Sequence, residues 1–145
     1  AANSQMLGCF CPNHGCIDNA IHTFSGVQLR LKCAEIMKMQ GKDEETGKAK
    51  ITPAYNLPCK YILHTVGPVV QGRVTKRDRE LLASCYRSCL QLAEEKKLES
   101  VVFNVFKDED NDIYRRILTN CWRFFETQIP ANTILIFINI ILSFK

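Results

Sequence analysis

Residues 61–66 read Tyr-Ile-Leu-His-Thr-Val (YILHTV), a short run rich in β-branched and aromatic side chains that is closed by Gly67 and Pro68. This composition predicts a buried β-strand. A second apolar run, SVVFNVF at residues 100–106, predicts another strand. Longer segments with helical spacing lie between and before these runs. Short apolar strands alternating with helices indicate an α/β fold, with helices on the faces of a sheet.

The predicted helices lie on both sides of the first strand. Residues 18–40 predict one helix with a stop at Gly41, because apolar residues recur there every three or four positions. Its apolar face is predicted to contain Ala20, Phe24, Val27, Leu31 and Ala34. Residues 73–97 predict a long amphipathic helix whose apolar face contains Leu82, Cys85, Cys89 and Leu92. Acidic residues at its start predict a further helix at residues 108–118.

Composition narrows the class of protein. The chain has 145 residues, 46% hydrophobic and 23% charged, which is typical of one globular domain and excludes disorder as the default. A net charge of +4 is too small to predict nucleic-acid binding. The longest apolar stretch, residues 133–144, is well short of the ~20 residues of a membrane span. Eight cysteines without a signal peptide predict reduced thiols and a cytoplasmic location.

The densest group of potential metal ligands lies in the segment GCFCPNHGCIDNAIH at residues 8–22. It brings together Cys9, Cys11, His14 and Cys16, and thiolates with imidazole suit zinc. Turn-forming residues between the ligands let them converge on one ion. Cysteines are also common as small buried hydrophobes, and Cys-x4-His-x-Cys is not a standard paired zinc spacing. Spacing alone leaves both uses open.

Asp18 and Asn19 follow this cluster at the predicted start of the first helix. Backbone N–H groups and the helix dipole favour a bound anion such as a phosphate at this end of a helix. The alternative for Asp18 is a simple N-cap.

Three segments together carry a family resemblance: AANSQMLG, GCFCPNHGCIDNAIHTFSGVQLR and ETGKAKITPAYNLPCKYILHTVGP. They resemble a macrodomain, and the Cys-His-Cys insert resembles the zinc-containing branch of bacterial and fungal protein ADP-ribosyl hydrolases. The resemblance covers residues 1–103, with a weaker continuation in FNVFKDEDNDIYRRIL. It implies a three-layer α/β/α fold with a mixed central sheet. On this interpretation residues 1–118 form a partial macrodomain, and residues 119–145 form an atypical tail of no assigned role.

By position, the resemblance implies a substrate site at the start of the first helix. Asn3 matches a family residue that orients the distal ribose, and Asp18 takes the place of an acidic residue implicated in hydrolysis. These two are the predicted catalytic residues. Ile17 and Asn19 are predicted to bind the substrate beside them, around the diphosphate and distal ribose.

The resemblance also implies a zinc site. Cys9, His14 and Cys16 match its three ligands and leave the fourth position to substrate or water, as in catalytic zinc sites. Cys11 departs from the pattern, and it either points away or completes a closed four-ligand site. We interpret two histidines as core residues and the remaining cysteines as core or surface thiols: His22, His64, Cys33, Cys59, Cys85, Cys89 and Cys121.

Two departures from the family pattern bear on function. The strand that precedes Asn3 in macrodomains is absent, and no Ser/Thr-Gly-x-x-Gly-x-Pro phosphate loop follows residues 100–103. Both are expected of a truncated or internally deleted member. The resemblance implies zinc-dependent removal of mono-ADP-ribose from protein side chains, with ADP-ribose or a mono-ADP-ribosylated protein as partner and neither nucleic acid nor membrane. The alternatives are an ADP-ribose-binding module without hydrolysis and an inactive remnant, and the oligomeric state stays open.

Overall fold

The computed structural model describes residues 5–9, 15–70, 72–103, 137–139 and 143–144. Both helices and strands occur in these parts of the chain, as the sequence predicts, although they do not strictly alternate. In chain order they are α1 (Ile17–Ser25), α2 (Val27–Gln40), β1 (Ala49–Pro53), β2 (Tyr61–Thr65), β3 (Val69–Val70), α3 (Lys76–Glu95), β4 (Val102–Phe103), β5 (Phe137–Asn139) and β6 (Ser143–Phe144). The helix predicted at residues 108–118 lies outside the described residues.

The main sheet has the strand order β1-β2-β5-β4. β1 and β2 are antiparallel, with Ala49 opposite Thr65, whereas β5 runs parallel to both β2 and β4. β3 and β6 form a separate parallel pair. The predicted mixed sheet is therefore confirmed.

Neighbouring residues of β2 show that helices cover both faces of the sheet. Ile62 belongs to an apolar cluster with Leu29 and Cys33 of α2, whereas Leu63 belongs to a second cluster with Cys85 and other residues of α3. Because successive side chains of a strand point to opposite faces, α2 and α3 pack on opposite sides of β2. The three-layer α/β/α arrangement is confirmed.

The single helix predicted at residues 18–40 is wrong, because Gly26 divides it into α1 and α2. Gly26 has φ +95° and ψ 174°, outside the helical region. A Cβ at this position would lie 2.8 Å from the Gln28 side chain and 2.9 Å from that of Asn56. Glycine therefore permits both a sharp change of chain direction and a close approach to the loop after β1.

The predicted apolar face of this segment is also wrong. Phe24 and Leu31 are exposed by 70% and 65%, and Val27 is exposed as well. The buried face lies on other positions and includes polar residues: Ile21, His22, Ser25, Leu29, Cys33 and Met37. Burial of Ser25 is compensated because its Oγ donates to the Ala54 carbonyl over 2.6 Å. The spacing of apolar residues does not predict that polar residues such as Ser25 are buried.

One helix end and one helix face agree with the sequence predictions, whereas α3 begins at Lys76, later than the predicted start at residue 73. α2 ends at Gly41, which has φ +70° and donates its N–H to the Met37 carbonyl. α3 begins with a capping box in which Thr75 and Asp78 bond each other's backbone N–H. The predicted face of α3 packs on the sheet, with Leu82, Cys85, Cys89 and Leu92 all in one apolar cluster. None of the described helices has both the length and the apolar composition of a membrane span.

Candidate functional site

The candidate site is built on the start of α1. Cys16 precedes the helix in an extended conformation, and its Sγ accepts the backbone N–H of Asn19 over 3.3 Å. Cys16 is therefore the N-cap, and the alternative expectation that Asp18 is the N-cap is wrong. Asp18 instead lies within the first turn, where a carboxylate interacts favourably with the helix dipole.

The buried carboxylate of Asp18 joins α1 to the segment before it. Its Oδ2 accepts the backbone N–H of Cys9, and its Oδ1 lies 3.8 Å from Nε2 of His22 one helical turn later. Only 7% of Asp18 is exposed. The bond to Cys9 spans nine positions, so it fixes the entering loop to the first turn of α1.

Arg30 of α2 contacts the same two segments. Its Nη1 donates to the Cys9 carbonyl over 2.9 Å, and its Nη2 donates to Oδ1 of Asn19 over 3.2 Å. Arg30 was not predicted from the sequence. Its partners lie 21 and 11 positions earlier in the chain, so no local spacing reveals the contact.

Two of the three predicted zinc ligands lie in the described residues, and the fold brings them to one end of α1. Cys9 is buried and bonded through its backbone to Asp18, and Cys16 is half-buried at the N-cap; neither forms a disulfide. Their sulfurs are suitable zinc donors, and an imidazole would complete the predicted set. His14, the third predicted ligand, lies outside the described residues, as do Asn3 and Cys11. The zinc set and the ribose contact of Asn3 therefore stay predictions.

Ile17 and Asn19 occupy the first turn in different ways. The half-buried Ile17 side chain packs against the apolar cluster under α1 and α2. Asn19 is half-buried and oriented by Arg30. N–H groups of a first helical turn lack intrahelical acceptors, which makes this end suitable for an anion.

A second group of potential ligands lies in the core behind the site. His22, Cys33 and His64 are buried, and their ligand atoms lie within 4.8 Å of one another. Nε2 of His64 lies 4.0 Å from Cys33 Sγ and is hydrogen-bonded to Thr52 Oγ1 over 2.8 Å. Zinc bonds of about 2.0 Å to nitrogen and 2.3 Å to sulfur require a tighter tetrahedral set than this. The geometry fits a polar cluster in the core.

Burial sets the protonation of this cluster. It lowers the pKa of His64 to about 3, with a smaller contribution from His22, and it raises the pKa of the Cys33 thiol to about 12. The pKa of His22 is also lowered, chiefly by burial, although the Asp18 carboxylate opposes this shift. Both histidines are therefore neutral at pH 7, and their predicted place in the core is confirmed.

His22 is unusual within this cluster. Neither of its ring nitrogens has a hydrogen-bond partner of normal geometry among the described residues. The Leu7 backbone nevertheless lies near enough to raise the pKa of His22 slightly against the effect of burial. The predicted thiols outside the zinc set that the structure describes are buried and form no disulfide, namely Cys33, Cys59, Cys85 and Cys89, while Cys121 lies outside the described residues.

Comparison with known proteins identifies the family of this chain. The model of the Macro domain matches residues 1–107. A protein-ADP-ribose hydrolase of Treponema medium is 63% identical over 103 residues, which are 71% of this chain and 40% of the relative. A protein-ADP-ribose hydrolase of Staphylococcus aureus is 59% identical over 104 residues, covering 71% of this chain and 39% of the relative. The chain thus spans about two fifths of the length of these relatives.

Solved structures agree with the sequence matches. A macrodomain variant of Oceanobacillus iheyensis with ADPR superimposes with a TM-score of 0.67 at 29% identity, over 95% of this chain and 74% of that one. The same macrodomain with ADP gives a TM-score of 0.67 at 30% identity, over 99% and 74%. Fold and sequence agree, and the chain belongs to the Macro domain family.

Proposed function

We propose that this macrodomain removes mono-ADP-ribose from modified protein side chains, with a zinc ion held beside the first turn of α1. The observation that carries the proposal is the buried Asp18 carboxylate between the loop of Cys9 and the N-terminus of α1. Relatives that are 63% and 59% identical to this chain are named protein-ADP-ribose hydrolases. The proposed partner is therefore ADP-ribose or a mono-ADP-ribosylated protein.

Substrate binding would use the first turn of α1. Its N–H groups and dipole favour the diphosphate, and Ile17 and Asn19 lie in that turn. Asn3 would orient the distal ribose. In the reaction, the bond between ribose C1″ and the protein side chain breaks, the water oxygen bonds to C1″, and the side chain receives a proton. Asp18 would position that water or accept its proton.

Zinc would be held by Cys9, His14 and Cys16. When bound, the ion supplies charge that polarises a ribose hydroxyl or lowers the pKa of a water. Zinc binding by Cys9 and Cys16 would require reduced thiols, in keeping with the proposed cytoplasmic location.

The missing phosphate loop limits the expected affinity. The chain has no glycine after Gly72, so no Ser/Thr-Gly-x-x-Gly sequence follows β4. Each charge-assisted donor contributes about 1.5–3 kcal/mol, and 1.4 kcal/mol is about tenfold in affinity. We expect weaker ADP-ribose binding than in macrodomains that have this loop.

The decisive experiment measures zinc content and catalysis on the same preparation. The full chain is purified under reducing conditions, assayed for zinc by elemental analysis, and tested for release of ADP-ribose from a mono-ADP-ribosylated protein. Asp18→Asn keeps an oxygen acceptor for the Cys9 N–H but removes the charge, and we expect turnover to fall about 100-fold or more. Asp43→Asn, at an exposed carboxylate, is the matched control and should leave turnover unchanged.

Each outcome decides between the functions. Bound zinc with Asp18-dependent turnover supports the hydrolase, and loss of the zinc in Cys16→Ser places the ion at the predicted ligands. Nucleotide binding without turnover overturns the hydrolase in favour of a binding module. A chain that neither binds ADP-ribose nor releases it overturns both. Turnover that is equal in Asp18→Asn and in the unmodified chain contradicts the role of Asp18.

A further inference from the structure

Arg30 connects the two residues that border the proposed site. One nitrogen of its guanidinium donates to the Cys9 main chain and another donates to the Asn19 side chain, over 2.9 Å and 3.2 Å. Arg30 itself lies in the first turn of α2, beyond the break at Gly26. A single half-buried side chain thus joins the Cys9 loop, α1 and α2.

We propose that Arg30 is a positioning residue of the zinc and ADP-ribose site, acting through Cys9 and Asn19; this inference rests on the proposed function. Arg30 holds the carbonyl of Cys9 while Asp18 holds its N–H. The peptide groups on both sides of one proposed zinc ligand are therefore fixed by charged side chains. Holding a ligand in its binding conformation before the ion arrives increases metal affinity, because less conformational freedom is lost on binding.

The contact with Asn19 orients a second group. Arginine has only donors, so it accepts nothing and binds the carboxamide through the oxygen. The NH2 group of Asn19 is consequently the end of the carboxamide that does not face the guanidinium. Arg30 would in this way determine which end of Asn19 the substrate meets.

The planar guanidinium is needed for both contacts at once. Its nitrogens are held in a rigid fork, whereas lysine presents a single ammonium on a flexible stem. Arg30→Lys keeps the positive charge and loses the fork, and Arg30→Gln loses the charge as well. If Arg30 acted only through its charge, Arg30→Lys would behave like the unmodified chain.

The test compares these variants with Arg87→Lys and Arg87→Gln, which change an exposed arginine in the middle of α3. Zinc affinity is measured by competition with a chromophoric chelator, ADP-ribose affinity by calorimetry, and kcat and KM by release of ADP-ribose. We expect both Arg30 variants to bind zinc at least tenfold more weakly and to lose at least tenfold in kcat/KM. The Arg87 variants should match the unmodified chain.

A readout that needs neither zinc nor substrate separates this inference from the proposed function. Alkylation of the metal-free chain by iodoacetamide, followed by mass spectrometry, reports access to the buried Cys9 thiol, with the buried Cys59 as internal reference. We expect Cys9 to react at least fivefold faster in Arg30→Gln, with Cys59 unchanged. Should the unmodified chain lack turnover, a selective gain at Cys9 still supports Arg30 as the residue that fixes this loop.

Two results would overturn the inference. One is an unchanged zinc affinity and an unchanged Cys9 reactivity in both Arg30 variants. The other is an equal rise in reactivity at Cys9 and Cys59, which would show general unfolding. If Arg30→Gln fails to fold, Arg30→Lys and Asn19→Ala, which removes one acceptor of the fork, provide the same comparison.

Discussion

Replacing His64 by glutamine should reduce the acid sensitivity of the fold. His64 lies in β2, is fully enclosed between α2 and the sheet, and has as polar neighbours Thr52, Cys33 and His22. Burial lowers its pKa from 6.5 to about 3. Folding therefore opposes protonation of this imidazole.

The sign and size follow from proton binding. Between pH 6.5 and about pH 3 the unfolded chain binds a proton at His64 that the folded chain does not. The contribution of His64 to stability is thus fully present above pH 6.5. Below that pH the free energy of unfolding falls by about 1.4 kcal/mol per pH unit. At pH 5.0 the loss from His64 is about 2 kcal/mol relative to pH 7.5. His22 adds a loss of the same sign, because burial also lowers its pKa.

Urea unfolding at pH 7.5 and pH 5.0 measures this loss. The free energy of unfolding should fall by about 2 kcal/mol more in the unmodified chain than in His64→Gln, whatever the absolute stability of the variant. Ile62→Val, at another buried site of β2, is the control for a destabilised core without a titrating group. Equal losses in the unmodified chain and in His64→Gln would refute the account of His64.

Three further predictions concern the packing and the helix ends. Leu29→Ala should lower the free energy of unfolding by about 2–5 kcal/mol because Leu29 is completely buried, whereas Leu31→Ala should change it by less than about 0.5 kcal/mol because Leu31 is 65% exposed; urea titration compares the two. Gly41→Ala should cost about 1 kcal/mol through its left-handed φ of +70° alone, since a Cβ there meets no neighbour, and Gly41→Asn should restore part of the melting temperature. Thr75→Ala should cost about 1 kcal/mol by removing the cap of α3, and an equal melting temperature in the two chains would contradict the capping role.

The candidate site was predictable where its residues are close in sequence. Cys9, Cys16 and Asp18 are within ten positions, and the structure gathers them at one end of α1. Arg30 was not predictable, because its contacts cross from α2 to the loop before α1. His14 and Asn3 lie outside the described residues, and their roles stay predictions.

The core shows the same division. YILHTV predicted β2 because β-branched and aromatic side chains closed by Gly67 and Pro68 are typical of a buried strand. The helical spacing of Phe24 and Leu31 predicted a buried face, yet these side chains are exposed. Polar residues such as Ser25 occupy the true interface because the neighbouring strand supplies an acceptor.

The strand at YILHTV, the long helix α3 and the stop at Gly41 were determined by the sequence alone, since each depends on residues a few positions apart. The tertiary structure decided which helix faces are buried and which side chain joins the Cys9 loop to Asn19. Burial and hydrogen bonds between distant segments depend on how the elements pack. Helical periodicity does not predict which segment a helix packs against. The turn at Gly26 is where this difference arises, because a local conformation there redirects α2 and brings Arg30 to the site.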